Sequence, residues 1–207
     1  MSESTARPAP FEATACACVI LAAGGSRRLG QPKQLVTIDG RALIIHTVET
    51  ALAVPDLWPV VVVLGGAADR VRPLLAKYPV LVTDNPAWEE GVASSLRAGL
   101  TTVNEFSRQI GSVLFTLCDQ PALSSPALQA LWAVRRQTGK SVVAASYGGH
   151  PGAPALIDRK HFGALAHLTG DEGARRLIKS LPPDQLGLVE RPELALDIDT
   201  PEDLARL

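Results

Sequence analysis

Apolar residues in this chain fall into two kinds of run, and the two kinds alternate. Residues 16–22 (CACVILA) and 59–64 (PVVVVL) are short, continuously apolar and followed by paired glycines, the pattern of a strand buried on both faces. Residues 80–83, 113–117 (VLFTL) and 141–146 (SVVAAS) repeat it, and 185–189 and 195–198 read as two further short strands. In between, apolar positions recur at helical spacing, which predicts helices over 41–52, 67–78, 91–100, 171–180 and 201–207. Another runs to about Thr138, with Ser124 or Ser125 as its cap and Pro126 in its first turn. Arg175, Arg176 and Lys179 fall late in the 171–180 helix, where positive charge suits the helix dipole, and 148–154 (GGHPGAP) reads as a loop.

Strands separated by helices of this size predict βαβ units. The expected fold is α/β: one three-layer αβα domain, Rossmann-like, with a mostly parallel sheet over residues 14–207, after a polar leader at 1–13. Ligands in such open sheets sit beyond the carboxyl ends of strands. Chemistry is therefore to be sought in the loops after Ala22, Leu117 and Ile198.

Composition narrows the function. Twenty Lys plus Arg against 21 Asp plus Glu, a net charge of −1, provide no broad basic surface for nucleic acid. An anionic ligand must therefore be held locally. Cys16, Cys18 and Cys118 are too few and too scattered for a disulfide framework or a zinc site, which fits a reducing cytoplasm. The apolar stretch at 14–23 lacks a charged n-region and runs into a glycine-arginine loop, so it does not read as a signal peptide, and no run is long enough for a membrane helix.

The most informative segment is 21–35, LAAGGSRRLGQPKQL. Glycines and alanines directly after a buried strand let backbone N–H groups approach an anion, while Arg27, Arg28 and Lys33 add charge and fork-like donors. This is a phosphate-handling composition. It is neither a Walker loop nor the Gly-x-Gly-x-x-Gly dinucleotide fingerprint, which argues against a hydride-transfer enzyme. The plain alternative is a βα turn with solvated arginines.

With NPAWEEGVASSLRAGL (85–100), LCDQPAL (117–123), GHPGAPALI (149–157), TGDEGARRLI (169–178) and DIDTPEDL (197–204), in that order, this loop resembles the nucleotidyltransferases of glycosyltransferase-A-like fold. Within them it is similar to the molybdenum cofactor cytidylyltransferase group. The resemblance implies a magnesium-dependent transfer in which a phosphate oxygen of the acceptor attacks the α-phosphorus of a nucleoside triphosphate and pyrophosphate leaves. The implied partners are CTP and molybdopterin cofactor, with a molybdenum hydroxylase apoenzyme as a further one. Guanylyl or sugar-phosphate transfer, a cofactor carrier without catalysis, and an oxidoreductase on a repurposed fold stand as alternatives.

Carried over by motif, Arg28 and Lys33 bind the triphosphate and, with Asp119, form the catalytic set. Arg27 is the alternative to Arg28. Leu21, Ala22, Ala23 and Gly24 hold the nucleotide, with Gly91 and Ser95 (or Ser94) at the base. Alanine at position 23, where guanylyltransferases have glycine, favours cytidine. Asp119 and Asp199 are the implied magnesium ligands. Read locally, Asp119 is also a strand-ending turn residue, and Thr200, Pro201 and Asp203 make a helix start by themselves. His150 is placed by the resemblance at the acceptor pocket. His46, His161 and His167 read as structural, and Trp88 as packing under the nucleotide loop or in the core.

Overall fold

A computed structural model describes residues 15–206 of the protein; the expected leader at 1–13 lies outside them. The first strand, β1 (Cys16–Ala22), is wholly apolar because both faces are covered. A glycine loop, a small antiparallel pair β2 (Thr37–Ile38) and β3 (Arg41–Ala42), and helix α1 (Leu43–Leu52) follow. Next come β4 (Leu57–Leu64), α2 (Ala68–Leu75), β5 (Leu81–Asp84), α3 (Val92–Phe106), β6 (Ser112–Leu117) and α4 (Ser125–Thr138). The chain then forms a hairpin of β7 (Val142–Tyr147) and β8 (His150–Asp158), two short helices α5 (Phe162–Ala166) and α6 (Arg175–Ser180), β9 (Leu186–Glu190) and α7 (Pro201–Leu204).

Among the described residues, seven strands form one sheet in the order β5-β4-β1-β6-β8-β7-β9. All run the same way except β8, which is antiparallel to both neighbours. Alternate residues of the buried strands feed opposite cores. Cys18, Ile20, Val60, Val62 and Leu114 pack toward α1, α2 and α4, while Val19, Val61, Val63, Val113 and Phe115 pack toward α3, α5 and α6. This is the expected α/β, mostly parallel sheet between helical layers.

Three expectations change. The predicted loop at 148–154 is largely the start of β8. Its prolines are tolerated because 150–154 extends past the end of β6 and pairs only with β7, so one edge needs no ladder donor. The predicted strand at 195–198 is instead the end of a 3-10 turn, Pro192–Ala195, and an unpaired extension. The predicted helix at 171–180 begins only at Arg175, because Gly170 and Gly173 take φ of 64° and 55° and break the helical path. Arg175 therefore opens that helix instead of closing it. The charge-to-dipole match holds only for Lys179, in the last turn.

Gly99 sets how closely α3 lies on the sheet. A Cβ there would collide with the Cγ1 of Val19 and stand 3.1 Å from the Cγ2 of Val63, both on β-branched chains that cannot swing away. Gly99→Ala is expected to destabilise the fold by about 1–3 kcal/mol, the strain exceeding the helix-propensity gain of about 1 kcal/mol, as a lowered urea midpoint would show.

Candidate active site at the carboxyl edge of the sheet

The parallel strands β4, β1 and β6 all end on one edge, and a cavity of about 750 Å³ opens there. One of its walls is the segment that leaves β1. Gln34, 1% exposed, donates from Nε2 to the carbonyls of Ala22 (2.7 Å) and Gly24 (3.0 Å), clamping the loop to the strand end. Ser26 accepts from the Lys33 backbone N–H at 3.0 Å and so closes the loop on itself. The Gly66 N–H donates to the Ala23 carbonyl at 3.0 Å, tying the end of β4 to it.

Two other segments meet this loop. Asp119 lies just beyond β6, and its carbonyl accepts from the Ile198 N–H at 2.9 Å, which draws 197–199 to the sheet edge. Lys33 closes the arrangement. Its ammonium donates to Asp119 Oδ2 at 2.5 Å and Asp199 Oδ1 at 3.0 Å, and Arg28 reaches Asp199 Oδ2 at 2.7 Å. Burial alone would favour the neutral amine, but Asp119 and Asp199 more than reverse this and hold the Lys33 pKa above its ordinary value. Lys33 is therefore a permanent cation.

The motif at 197–204 separates helix capping from the cavity. Thr200 and Asp203 form a reciprocal capping box, and Asp203 Oδ2 accepts from the backbone N–H groups of Asp199 and Thr200. Capping is thus carried by Asp203. The Asp199 side chain remains on Lys33 and Arg28.

Of the other sequence-predicted residues, Leu21, Ala23 and Gly24 line the cavity, whereas Ala22 is buried among α1-side core residues and contributes its carbonyl to Gln34. Ser95 lines the cavity and Ser94 does not; Asn85 Nδ2 donates to both hydroxyls, at 3.0 and 2.8 Å. Gly91 lines it too, with φ of 118°, but the space a Cβ would fill is occupied by the Gly170 carbonyl at 2.6 Å and by the Asp171 carboxylate. Its openness is used by a protein segment. Trp88 lies beneath the loop, 3.0 Å from where a Gly66 Cβ would be, with the Arg27 guanidinium 5.7 Å from its ring and paired to Glu89 at 2.5 Å. Arg28, not Arg27, is the arginine at the Lys33 cluster. His150 is exposed at the start of β8 and is not among the residues lining the cavity. His46 and His161 bond to the Leu123 carbonyl and the Ser141 hydroxyl, consistent with structural roles.

Sequence reasoning missed Asp197. It lines the cavity beside Asp119, and one carboxylate oxygen is buried without a hydrogen-bond partner among the described residues. Burial first, then the Asp119 charge, pushes its pKa up to about 6. The buried Asp119 Oδ1 likewise has no partner there. The only sequence signal was the two-residue spacing of Asp197 and Asp199, which an apolar-looking stretch concealed.

Residues 18–186 match the family described as the MobA-like NTP transferase domain. The chain belongs to that family. Among its members' relatives, the nicotine blue oxidoreductase of Paenarthrobacter nicotinovorans is 33% identical over 91% of this chain and 94% of its own length. The purine catabolism protein PucB of Bacillus subtilis is 32% identical over 89% and 92%. The molybdenum cofactor cytidylyltransferase of Escherichia coli is 24% identical over 90% and 92%. The crystal structure of Rv0371c from Mycobacterium tuberculosis H37Rv superposes with a TM-score of 0.81 at 32% identity, covering 93% of this chain and 96% of that one. A manganese complex of the Mycobacterium tuberculosis Rv0371c protein gives 0.76 at 28% identity, covering 94% and 98%.

The raised Asp197 pKa has a consequence for metal-free protein. The folded state holds this proton more tightly than the unfolded chain, so its contribution to stability is present below pH 4 and is lost as pH rises through about 6. Asp197→Asn is expected to raise the unfolding free energy at pH 8 by on the order of 1 kcal/mol and to do little at pH 4, measured by urea unfolding in chelator.

Proposed function

We propose that the protein transfers a cytidylyl group from CTP to the phosphate of molybdopterin cofactor and releases pyrophosphate. The observation that carries this reading is the buried Lys33 ammonium bound to two carboxylates at the sheet edge, beside a glycine loop with a further arginine. Such a transfer gathers negative charge from two phosphorylated reactants and spreads it during in-line displacement, so fixed cations supply most of what the reaction needs. Lys33 stabilises charge near the α-phosphate and Arg28 the outer phosphates. The attacking phosphate is already ionised, so no general base is required. The similarity to the Escherichia coli cytidylyltransferase supports the choice of activity.

A divalent metal fits the residues present. Asp119 has a buried oxygen that meets no donor among the described residues, and two carboxylates plus substrate phosphates are a usual magnesium arrangement. Asp119 and Asp199 would hold Mg2+, which when bound neutralises charge on the phosphates. The manganese complex of the mycobacterial relative supports a divalent ion in this family. A molybdenum hydroxylase apoenzyme would receive the product, in a cytoplasmic setting.

The choice of CTP rests on Ala23. It is buried, and Gly65 and Trp88 pack closely around it. Glycine there would remove a methyl group from the base-side wall. Ala23→Gly is expected to lower the CTP-to-GTP ratio of kcat/KM by about tenfold, within the range for one methyl group in a pocket.

The deciding experiment incubates purified protein with Mg2+, each nucleoside triphosphate and molybdopterin cofactor, and follows pyrophosphate. Release with CTP is expected; release with GTP alone reverses the base assignment. No release with any nucleotide removes transfer in favour of the carrier or oxidoreductase readings. In the same assay Asp119→Asn is expected to reduce turnover by at least about a hundredfold while the protein still folds, as an unchanged far-UV circular dichroism spectrum at the assay temperature would show.

A further inference from the structure

The cavity extends beyond the nucleotide loop. Asp119 lies two residues beyond β6, in the middle of the sheet, with β1 on one side and β8 and β7 on the other. On the second side the lining is Tyr147, Gly152, Ala153 and Ala155 from the hairpin, with Arg175 and Ile178 from α6. Four cations line the cavity, namely Arg27, Arg28, Lys33 and Arg175. The first three are committed to Glu89, Asp199, and Asp119 with Asp199. Arg175 forms no ion pair among the described residues, although Asp171 and Glu172 precede it closely in the chain; Glu172 is taken by Arg176 at 3.1 Å.

Arg175 is also connected to the reaction centre through a short series of neighbours. Burial and the Asp197 charge raise the pKa of the Tyr147 hydroxyl, while the Arg175 charge opposes them, so Tyr147 lies within electrostatic reach of both. Asp197, Asp119 and Lys33 line the same cavity. The tyrosine is fixed in place: a Cβ on Gly152 would collide with its ring and hydroxyl, and Gln120 Nε2 donates to that hydroxyl at 3.4 Å. The position of Arg175 is set by the segment before it, which docks on the start of α3 through the Ala93 N–H to the Gly170 carbonyl at 3.0 Å.

We propose that Arg175 anchors the phosphate of the second substrate on the hairpin side of Asp119, with the Tyr147 hydroxyl as a companion donor, making Arg175 a determinant of acceptor choice. This rests on the nucleotidyltransferase reading above. A guanidinium fork can bind two phosphate oxygens and leave the third to attack. That oxygen forms the new bond to the α-phosphorus as the bond from the α-phosphorus to the α–β bridging oxygen breaks. The electron pair leaves with pyrophosphate, and no proton or redox partner is needed.

The test compares wild type, Arg175→Ala, Arg175→Lys and Tyr147→Phe with saturating CTP and varied molybdopterin cofactor. Arg175→Ala is expected to raise the acceptor KM by about ten- to hundredfold with the CTP KM within about twofold of wild type. Lysine restores part of the loss, as charge without the fork, and Tyr147→Phe has a smaller effect in the same direction. CTP affinity by calorimetry stays unchanged in Arg175→Ala, which reports an intact fold and nucleotide site. An unchanged acceptor KM, or a CTP affinity that falls as far as the acceptor KM rises, overturns the assignment. If wild type does not transfer to molybdopterin cofactor, that reading fails separately, and inorganic phosphate becomes the probe. With the protein saturated by whichever triphosphate it binds, the 31P line of phosphate is expected to broaden with wild type and not with Arg175→Ala; equal broadening, or none with either, overturns the anchor.

Discussion

A single ammonium group holds together three parts of the chain that are far apart in sequence. Lys33 meets Asp119 and Asp199, 86 and 166 residues away, and all three belong to segments that leave the sheet at its carboxyl edge. A buried ion pair contributes little net stability because desolvation offsets most of the attraction. Its effect here is positional. With Lys33 neutral or absent, Asp119 would lose its ion pair and Asp199 would keep only the exposed Arg28, so the ammonium is the group that bridges both aspartates at the cavity.

The surrounding bonds serve the same placement. Gln34 clamps the glycine loop to the end of β1, the Ile198 N–H fixes the last segment against Asp119, and the capping box relieves Asp199 of any part in starting α7. The first two use carbonyls that the parallel sheet leaves free at or just past the ends of its strands. The architecture thus provides an edge with unsatisfied donors and acceptors, and a few side chains convert that edge into a rigid frame for charge.

Much of this was legible in the sequence. Continuous apolar runs marked β1, β4 and β6 because a doubly covered strand has no polar face, Asp119 stood out as a charge just beyond such a run, and Lys33 as one of three cations in the glycine loop. What remained hidden was set by non-local contacts. Residues 150–154 look like a loop because proline and glycine are locally unfavourable in strands, yet β7 pairs with them while the other edge is free. Gly91 looks like an opening for a base, whereas Gly170 and Asp171 fill that space. Helical spacing carried 171–180 as one helix, and only the positive φ at Gly170 and Gly173 shows why Arg175 stands at its start, beside the cavity. Asp197 was concealed because burial and a neighbouring carboxylate, not its own motif, give it its unusual proton affinity.

Exposure separates the cations by how readily each can change partners. The side chains of Lys33 and Asp119 are only 17% and 15% exposed, whereas that of Arg28 is 72% exposed and that of Arg27 is 76%. An exposed pair is worth about 1 kcal/mol or less and is screened by salt, so a phosphate oxygen competes easily for either arginine. Breaking the Lys33–Asp119 pair would strand a buried charge, at a cost several times larger. The arginine pairs are therefore the ones that exchange readily, while Lys33 stays with its two carboxylates. One loop thus carries two kinds of cation, exposed ones whose pairs exchange easily and a sheltered one that fixes the position of both aspartates.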